Sequence, residues 1–251
     1  MTVAAHDAPH TPAVTTPRTR VAVQHTIEGD LRYLSHHNQM RLLERALARA
    51  AWPLAFSQGF NPRPRLSLPL PRNVGVSSDC EIALIDLSEP RPARHLFAAL
   101  APVLPPGCRL VRVAHAPPGL RPHARRVVFE TQIDAAEQPG LAERIAALLS
   151  AEALPIERQL GPRRGRRRVD IRPFIEQIES CPPRLRLVLS VDGQGTARPT
   201  EVLAALRLDP QHYAHRLHRV QVEWDTEPFA PQDGASIGES SLGQEDTQDQ
   251  S

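Results

Sequence analysis

The stretch of residues 31–73 constrains the fold more than any other part of the sequence. Ser35 stands where a side-chain oxygen can accept a hydrogen bond from a free backbone N–H at the start of a helix. Apolar residues then recur at the helical period over residues 40–51. The helix must end near Trp52-Pro53, because the residue before a proline is pushed out of the α region. Leucines at every second position of 66–70 predict a strand, and the proline inside it restricts that strand to a sheet edge.

The segments around this stretch complete a six-element pattern. Alternating apolar residues predict a strand at 21–27, and an apolar run predicts another at 81–87. A helix is predicted at 92–104 and a further strand at 109–115. The resulting order, β-α-β-β-α-β, is the ferredoxin-like arrangement, in which the second strand lies at a sheet edge. The proline-containing strand therefore falls where a proline is tolerated.

The pattern restarts after a proline-rich connector. Strands are predicted at 127–133, 156–160, 185–191 and 219–224, helices at 140–150 and 199–208, and an extended segment at 169–178. We therefore predict an α+β fold of two tandem ferredoxin-like units with antiparallel sheets and disordered termini. The predicted parts are a disordered segment at 1–18, unit 1 at 19–116, a linker at 117–125, unit 2 at 126–225 and a disordered acidic tail at 226–251.

Charge is distributed unevenly along the chain. All 30 basic residues are arginine, and the tail from Glu227 onward carries six acidic residues and no basic one. Without those six acids the formal net charge rises from +2 to +8, so the body of the protein is basic. A basic body with an acidic tail favours an anionic partner.

The sequence contains no signal for a membrane span, a leader or a metal cluster. No apolar run approaches about eighteen residues and the N-terminus lacks a hydrophobic stretch, so we expect a cytoplasmic protein without a membrane partner. Cys80, Cys108 and Cys181 are isolated, which argues against a disulfide framework and against a zinc knuckle. The CxxxCxxC run of a radical iron–sulfur enzyme is absent. We therefore expect this chain to bind no cofactor or metal.

The start of the first helix supports two interpretations. In one, Ser35 only caps the helix and two histidines happen to occupy its first turn. In the other, the free N–H groups and partial positive charge of the helix N-terminus bind an anion, with Ser35 and His36 as ligands. The same charge disfavours a protonated imidazole, which leaves His36 or His37 nearer to a general base than to a cation, and His36 is the candidate catalytic residue. Arg41 and Arg45 are four residues apart and would share one anion-binding helix face. Because His36 and His37 are adjacent, they cannot both face one metal from a helix, and we expect no metal site here.

A glycine turn follows the helix and also supports two interpretations. It is either a sharp connector whose Phe60 fills the core, or a ligand-binding loop in which Phe60 is a stacking surface. Gly59 is the residue expected at positive φ. The candidate ligand-binding residues of this turn are Ser57, Gly59, Phe60, Asn61 and Arg63, with Arg65 beyond them.

Two further segments are candidates for binding anions. The tract at 161–168 contains five arginines and is either a solvated charge run or a basic finger that grips a nucleic-acid backbone, with affinity that falls steeply with salt. Its candidate nucleic-acid-binding residues are Arg163, Arg164, Arg166, Arg167 and Arg168. Gly195 and Arg198 lie between a strand and a helix, where small residues and a helix N-terminus would admit an anion. This glycine pattern matches neither a Walker A loop nor a dinucleotide fingerprint.

Five segments carry a family signature. They are LRYLSH at 31–36, MRLLERALARA at 40–50, PLAFSQGFNPRPRLSLPLP at 53–71, VDIRPFIEQI at 169–178 and GTARPTEVLAAL at 195–206. Together they resemble the radical-SAM-linked (radical-SAM-associated) domain family, over roughly residues 20–225. The resemblance implies a domain that follows the catalytic part of a B12-binding-type radical SAM protein or is encoded as a separate chain. The family typically reads SHLD where this chain has Ser35-His36-His37-Asn38, so an amide replaces the usual carboxylate at Asn38.

Three functional hypotheses follow from these observations. The first is a non-catalytic accessory protein that binds RNA for a radical SAM enzyme, with SAM and an iron–sulfur cluster held only by that partner. The second is a metal-independent RNA-processing nuclease, in which His36 is the base or acid and Arg41 or Arg45 stabilises the phosphorane. The third is a protein–protein scaffold. The sequence does not indicate an oligomeric state.

Overall fold

The computed structural model describes residues 19–159, 165–229 and 235–236, so the predicted disordered segment at 1–18 lies outside the described residues. The fold is mixed α+β with a mostly antiparallel sheet. Elements of the first half are β1 (Thr19–Ile27), α1 (His36–Arg49), β2 (Leu66–Ser67), β3 (Ser77–Leu87), α2 (Ala93–Leu100) and β4 (Leu110–Ala116). A 3-10 turn, Gly29–Tyr33, connects β1 to α1.

The second half contains more elements than the sequence pattern predicts. Its strands and helices are β5 (Ala124–Gln132), α3 (Leu141–Ser150), β6 (Pro155–Gln159), β7 (Arg166–Asp170), β8 (Ile175–Cys181), β9 (Arg184–Asp192), β10 (Gly195–Thr196), α4 (Pro199–Ala205), α5 (Pro210–Ala214), β11 (His218–Trp224) and β12 (Ala235–Ser236). β6 and β7 form a two-stranded sheet of their own, which is inserted between α3 and β8. The extended segment predicted at 169–178 is interrupted by a 3-10 turn, Arg172–Phe174, which contains a proline.

The strand order is the same in the two halves. In the first half the strands lie in the order β4-β1-β3-β2, and in the second half in the order β11-β5-β9-β8. The halves join where β11 runs parallel to the start of β3, with His218 opposite Ser77. Among the described residues β2 pairs with β3 alone, so it is an edge strand as predicted, and it ends before Pro69, which has no N–H to donate.

Apart from β6 and β7, the strands of both halves belong to one ten-stranded sheet, and we call the part formed by β4, β1, β3 and β2 the first sheet. Helix α1 lies against one face of this first sheet. Its buried side chains are Gln39, Leu42, Leu43, Ala46 and Leu47. This stripe is rotated slightly from the predicted one, because Met40 is only half-buried and the buried Gln39 makes polar contacts beneath the helix. The helix ends at Arg49, and Ala51 takes a φ of 51° just before Trp52-Pro53.

The opposite face of the first sheet is also covered, which explains why β1 is buried on both sides. Ala22, Ile82 and Leu84 pack there in a small apolar cluster, against side chains that include Leu120 and Phe229. Phe229 belongs to the segment predicted to be the acidic tail, and further along that segment β12 pairs with β4. The sequence pattern did not predict these contacts, because a single aromatic in an acidic segment gives no periodic signal. The other residues of the predicted tail beyond 229 lie outside the described residues.

No helix in the described part of the chain is both long and apolar enough to cross a membrane.

Candidate functional site

A groove beside α1 brings three arginines of the first half together. Its lining residues are Leu31, Leu34, Asn38, Arg41, Leu42, Arg45, Arg49 and Pro105. The groove is open to solvent and has a volume of about 560 Å³. We refer to it as the arginine groove. It contains Arg41 and Arg45, two of the anion-binding residues predicted from the sequence.

Helix geometry explains why these residues share one face. Asn38, Arg41, Arg45 and Arg49 are spaced by three, four and four residues, which returns each side chain to nearly the same direction around a helix of 3.6 residues per turn. With a rise of about 1.5 Å per residue, successive arginines are about 6 Å apart along the axis, and the row is about 12 Å long. A row of this kind suits an extended anion with repeated charges.

The electrostatic character of the arginine groove is positive. Among the described residues no carboxylate lines it, and the polar lining residues are the three arginines and Asn38. Among the described residues, Arg41 and Arg45 make no hydrogen bond or ion pair, whereas the Arg49 guanidinium donates to the Val103 carbonyl oxygen at 2.6 Å. Two guanidinium groups are thus available to a ligand, and the third is held in place.

One wall of the arginine groove is fixed by a buried arginine. Arg72, which is 6% exposed, donates from its guanidinium to the carbonyl oxygens of Arg32 at 2.7 Å, Leu31 at 3.3 Å and Leu34 at 3.4 Å. Burial lowers the pKa of Arg72 from its ordinary value. Leu31 and Leu34 line the groove, so Arg72 positions that wall without contacting the groove itself.

The start of α1 is capped as predicted. The Ser35 hydroxyl oxygen accepts from the Asn38 backbone N–H at 3.3 Å. His36 is exposed, but it lies five residues before Arg41, which places the two side chains about 140° apart around the helix. Neither Ser35 nor His36 lines the arginine groove. The structure therefore separates the candidate catalytic histidine from the arginines that the nuclease hypothesis pairs with it.

The glycine turn forms the tip of a short hairpin. The Ser57 backbone N–H donates to the Arg63 carbonyl oxygen at 2.8 Å, and the Arg63 N–H donates to the Ser57 hydroxyl oxygen at 3.0 Å. Gly59 has a φ of 132°, a positive value as predicted. Phe60 and Asn61 are exposed, and Phe60 has a relative exposure of 106%. This exposure excludes the interpretation in which Phe60 fills the core.

The predicted arginine finger is only partly described. Arg163 and Arg164 lie outside the described residues. Arg166, Arg167 and Arg168 belong to β7 and are exposed, and Arg166 pairs with Glu157 at 3.2 Å. Among the described residues Arg167 and Arg168 have no side-chain partner, so the hairpin of β6 and β7 carries a second cationic surface.

The predicted anion site at Gly195 and Arg198 is occupied by the protein's own carboxylate. The Arg198 backbone N–H donates to a Glu201 carboxylate oxygen at 2.8 Å. Arg158 holds the same carboxylate through two hydrogen bonds of 2.7 and 2.6 Å. The Glu201 carboxylate therefore occupies the position at the start of α4 where an external anion would bind, and we leave Gly195 and Arg198 out of the candidate site.

A buried polar network joins the two halves, and no pattern in the sequence predicted it. Glu81 on β3 pairs with Arg219 on β11, and each side chain is 3% exposed. The Gln39 side-chain amide on α1 donates to the second carboxylate oxygen of Glu81 at 3.1 Å and lies 3.4 Å from the His25 ring Nε2. Although burial alone would raise it, the pKa of Glu81 is lowered to about 2 by the Arg219 guanidinium and neighbouring charges. Burial lowers the pKa of His25 to about 4.

Fold and site together define a mixed α+β protein of ferredoxin type with an arginine-lined groove. Residues 20–199 match a family described as uncharacterized proteins conserved in bacteria (DUF2344), and the chain belongs to this family. No curated protein matches it.

Solved structures similar to this chain include subunits of two enzymes. One is the acetolactate synthase small subunit from Thermotoga maritima, with 11% identity, coverage of 84% of this chain and 98% of that chain, and a TM-score of 0.23. Another is the regulatory subunit of aspartate kinase from Thermus thermophilus in its ligand-free form, with 13% identity, coverage of 76% and 89%, and a TM-score of 0.20. Scores this low support no inference about function.

Proposed function

We propose that this chain is a non-catalytic accessory protein that binds RNA through the arginine groove and presents it to a radical SAM enzyme. We infer further that its two halves, with their matching strand orders, are two tandem ferredoxin-like units. The observation that carries the RNA proposal is the row of three arginines on one helix face, in a groove that no carboxylate of the described part of the chain lines.

The shape of the arginine groove favours a polymer over a small anion. Guanidinium groups bind phosphates strongly, because each presents several N–H donors in a fixed plane. Here such groups repeat at about 6 Å intervals along an open surface, and an enclosed pocket would suit a small anion better. The arginines of β7 offer further phosphate contacts, and the exposed ring of Phe60 offers a surface on which an unpaired base can stack.

Binding without cleavage is supported by the position of His36. None of the histidines that the structure describes lines the arginine groove, and the geometry of α1 directs His36 away from Arg41 and Arg45. A general acid or base must lie within hydrogen-bond reach of the atom whose proton it moves. His37, four residues before Arg41 on α1, is not among the residues that line the groove, so none of the described lining residues can supply such a group to a phosphate held by these arginines.

The radical SAM partner is proposed from the sequence resemblance. The segments that carry this resemblance include the helix that presents the arginine groove and the hairpin that presents Phe60. Affinity purification of the tagged full-length chain, followed by mass spectrometry of bound proteins, tests this part. Recovery of a radical SAM protein at near-stoichiometric amounts is the expected result, and its absence under gentle lysis would contradict the partnership.

RNA binding is tested by fluorescence anisotropy with a labelled single-stranded RNA. Each lost phosphate contact reduces the slope of log affinity against log salt by about 0.7. We expect the double variant Arg41→Gln with Arg45→Gln to lower the slope by about 1.4 and to weaken binding about ten-fold per arginine at low salt. Arg94→Gln is the matched control, because Arg94 is an exposed helical arginine that does not line the groove.

The outcomes separate the three hypotheses. No binding of the wild-type chain at low salt would refute the RNA proposal and favour a scaffold. Binding that the double variant leaves unchanged would place the RNA elsewhere. Cleavage of the RNA that His36→Ala abolishes, while binding persists, would favour the nuclease.

A further inference from the structure

A second cavity lies on the opposite face of the first sheet from α1. It is bounded by the end of β3, by the segment around β2, and by the connector at 120–123 that leads into β5. Its volume is about 440 Å³, within the range of about 300–1,000 Å³ typical of small-molecule sites. Leu84 on β3 lines this cavity, and on that strand Ala83 and Ile85 face α1 while Leu84 faces away. The cavity is therefore separated from the arginine groove by the sheet.

A buried ion pair forms the fixed part of this cavity. Arg20 Nε donates to Asp86 Oδ1 at 2.6 Å and Arg20 Nη2 donates to Asp86 Oδ2 at 3.1 Å, while Asp86 is only 7% exposed. Arg20 Nη1 also donates to the Leu120 carbonyl oxygen at 2.7 Å, which holds the connector over the sheet. The cavity thus has a preformed wall, and Arg20 compensates the charge of Asp86.

Two further arginines give the cavity a net positive charge. The backbone of Arg65 is fixed, since its N–H donates to Ala55 and its carbonyl oxygen accepts from the Asp86 N–H. The Arg65 side chain donates only from Nε, to the Phe56 carbonyl oxygen at 3.3 Å. Arg121 is exposed and makes no side-chain hydrogen bond or ion pair within the described part of the chain. Among the described residues neither Arg65 nor Arg121 forms an ion pair with a carboxylate, so both guanidinium groups can bind an anion.

The remaining walls of the cavity are mostly apolar. Leu66, Leu84, Leu120, Pro69 and Pro122 line it between the charged groups, and Ser67 and His123 are its other polar lining residues. A ligand that satisfies both kinds of wall combines an apolar or aromatic group with at least one anionic group. Inorganic phosphate would leave the leucines and prolines unused, and an uncharged ring would leave Arg65 and Arg121 without a partner.

We propose that this cavity binds a mononucleotide, with the base against the leucine and proline side chains and the phosphate held by Arg65 and Arg121. The volume, the apolar walls and the two available guanidinium groups all fit this class of ligand. The proposal does not depend on RNA binding in the arginine groove, because the two surfaces lie on different faces of the sheet.

Isothermal titration calorimetry of the full-length chain with AMP, GMP, CMP and UMP tests this proposal, with adenosine and inorganic phosphate as partial ligands. We expect at least one mononucleotide to bind at least ten-fold more tightly than either partial ligand. Arg121→Gln and Arg65→Gln should each weaken that mononucleotide about ten-fold, as expected for the loss of one charge-assisted contact, and should leave adenosine binding unchanged. Arg121 is exposed, so its substitution is expected to leave folding intact, which circular dichroism verifies.

Three results would overturn the proposal. One is the absence of any heat of binding at millimolar mononucleotide. Another is mononucleotide binding that Arg65→Gln and Arg121→Gln leave unchanged. The third is mononucleotide binding that is lost in the Arg41→Gln, Arg45→Gln double variant, which would place the ligand in the arginine groove. Loss of RNA binding alone in that double variant, with mononucleotide binding retained, supports two separate sites.

Discussion

Among the described residues Glu81 is the only carboxylate that pairs with the buried Arg219. Replacing Glu81 with glutamine removes that negative charge. Both side chains are 3% exposed, so water cannot take over the role of the carboxylate. The substitution leaves a guanidinium buried without a counter-ion, and it also places a second amide opposite the Gln39 amide that now donates to Glu81. We expect the folded state to lose stability for both reasons.

The size of the effect can be estimated in two ways. Removal of one partner from a buried ion pair costs about 3–5 kcal/mol. Separately, the lowering of the pKa of Glu81 from 4.5 to about 2 corresponds to about 3 kcal/mol of stability at neutral pH. The two estimates agree, and we expect Glu81→Gln to lower the free energy of unfolding by about 3–5 kcal/mol.

Urea unfolding at pH 7.5, followed by circular dichroism, measures this loss. With a urea m value of about 3 kcal/mol/M, the midpoint is expected to fall by about 1–1.7 M. Glu89→Gln is the matched control, because Glu89 pairs with Arg91 at the surface, where the side chains are 52% and 55% exposed. Exposed pairs contribute about 0–1 kcal/mol, so this control should shift the midpoint very little.

A double variant separates the unpaired charge from a general packing defect. Glu81→Leu combined with Arg219→Met removes both charges, and apolar replacement of a buried pair is often neutral. We expect the double variant to recover most of the stability lost in Glu81→Gln. A loss below about 1 kcal/mol for Glu81→Gln, or a double variant no more stable than the single one, would refute the reasoning.

Three further predictions concern the same half of the molecule. Burial lowers the pKa of His25 from 6.5 to about 4, so protonation of His25 changes the free energy of unfolding by about 3 kcal/mol. This stability is fully present above pH 6.5 and is lost as the pH falls toward 4. His25→Asn should therefore flatten the dependence of the urea midpoint on pH across that window. Arg72→Gln should weaken RNA binding and lower stability by about 2 kcal/mol or more, as measured by anisotropy and urea unfolding, because the groove wall loses its buried donor. Phe60→Ala should leave the urea midpoint unchanged, since the ring is fully exposed, and should weaken RNA binding by about 1–3 kcal/mol in anisotropy if a base stacks on it.

Local signals predicted the parts of this fold that depend on neighbouring residues. The Ser35 cap, the positive φ of Gly59 and the edge position of β2 each follow from a residue type and its immediate neighbours. The shared face of Arg41 and Arg45 follows from helical spacing. Each of these features is decided within a few residues, so a single sequence is sufficient to predict it.

Contacts between distant segments could not be predicted in this way. Glu81 and Arg219 are separated by 138 positions and lie on strands that meet only where the two halves join. The carboxylate of Glu201 fills the start of α4 because Arg158, on a strand of the inserted hairpin, holds it. Phe229 covers the first sheet from a segment whose composition indicates disorder. In each case the decisive partner is brought near by the tertiary fold.

The buried network also explains how the arginine groove is oriented relative to the second half. Gln39 lies on α1, directly after Asn38 of the groove, and donates to Glu81 on β3. Glu81 in turn binds Arg219 on β11, the strand by which the second half joins the first sheet. One carboxylate therefore connects the helix that carries the groove to the half that carries the arginines of β7. The groups that hold α1, β3 and β11 together in this network are buried and paired, so the position of the groove-bearing helix is set by contacts that only the tertiary fold creates.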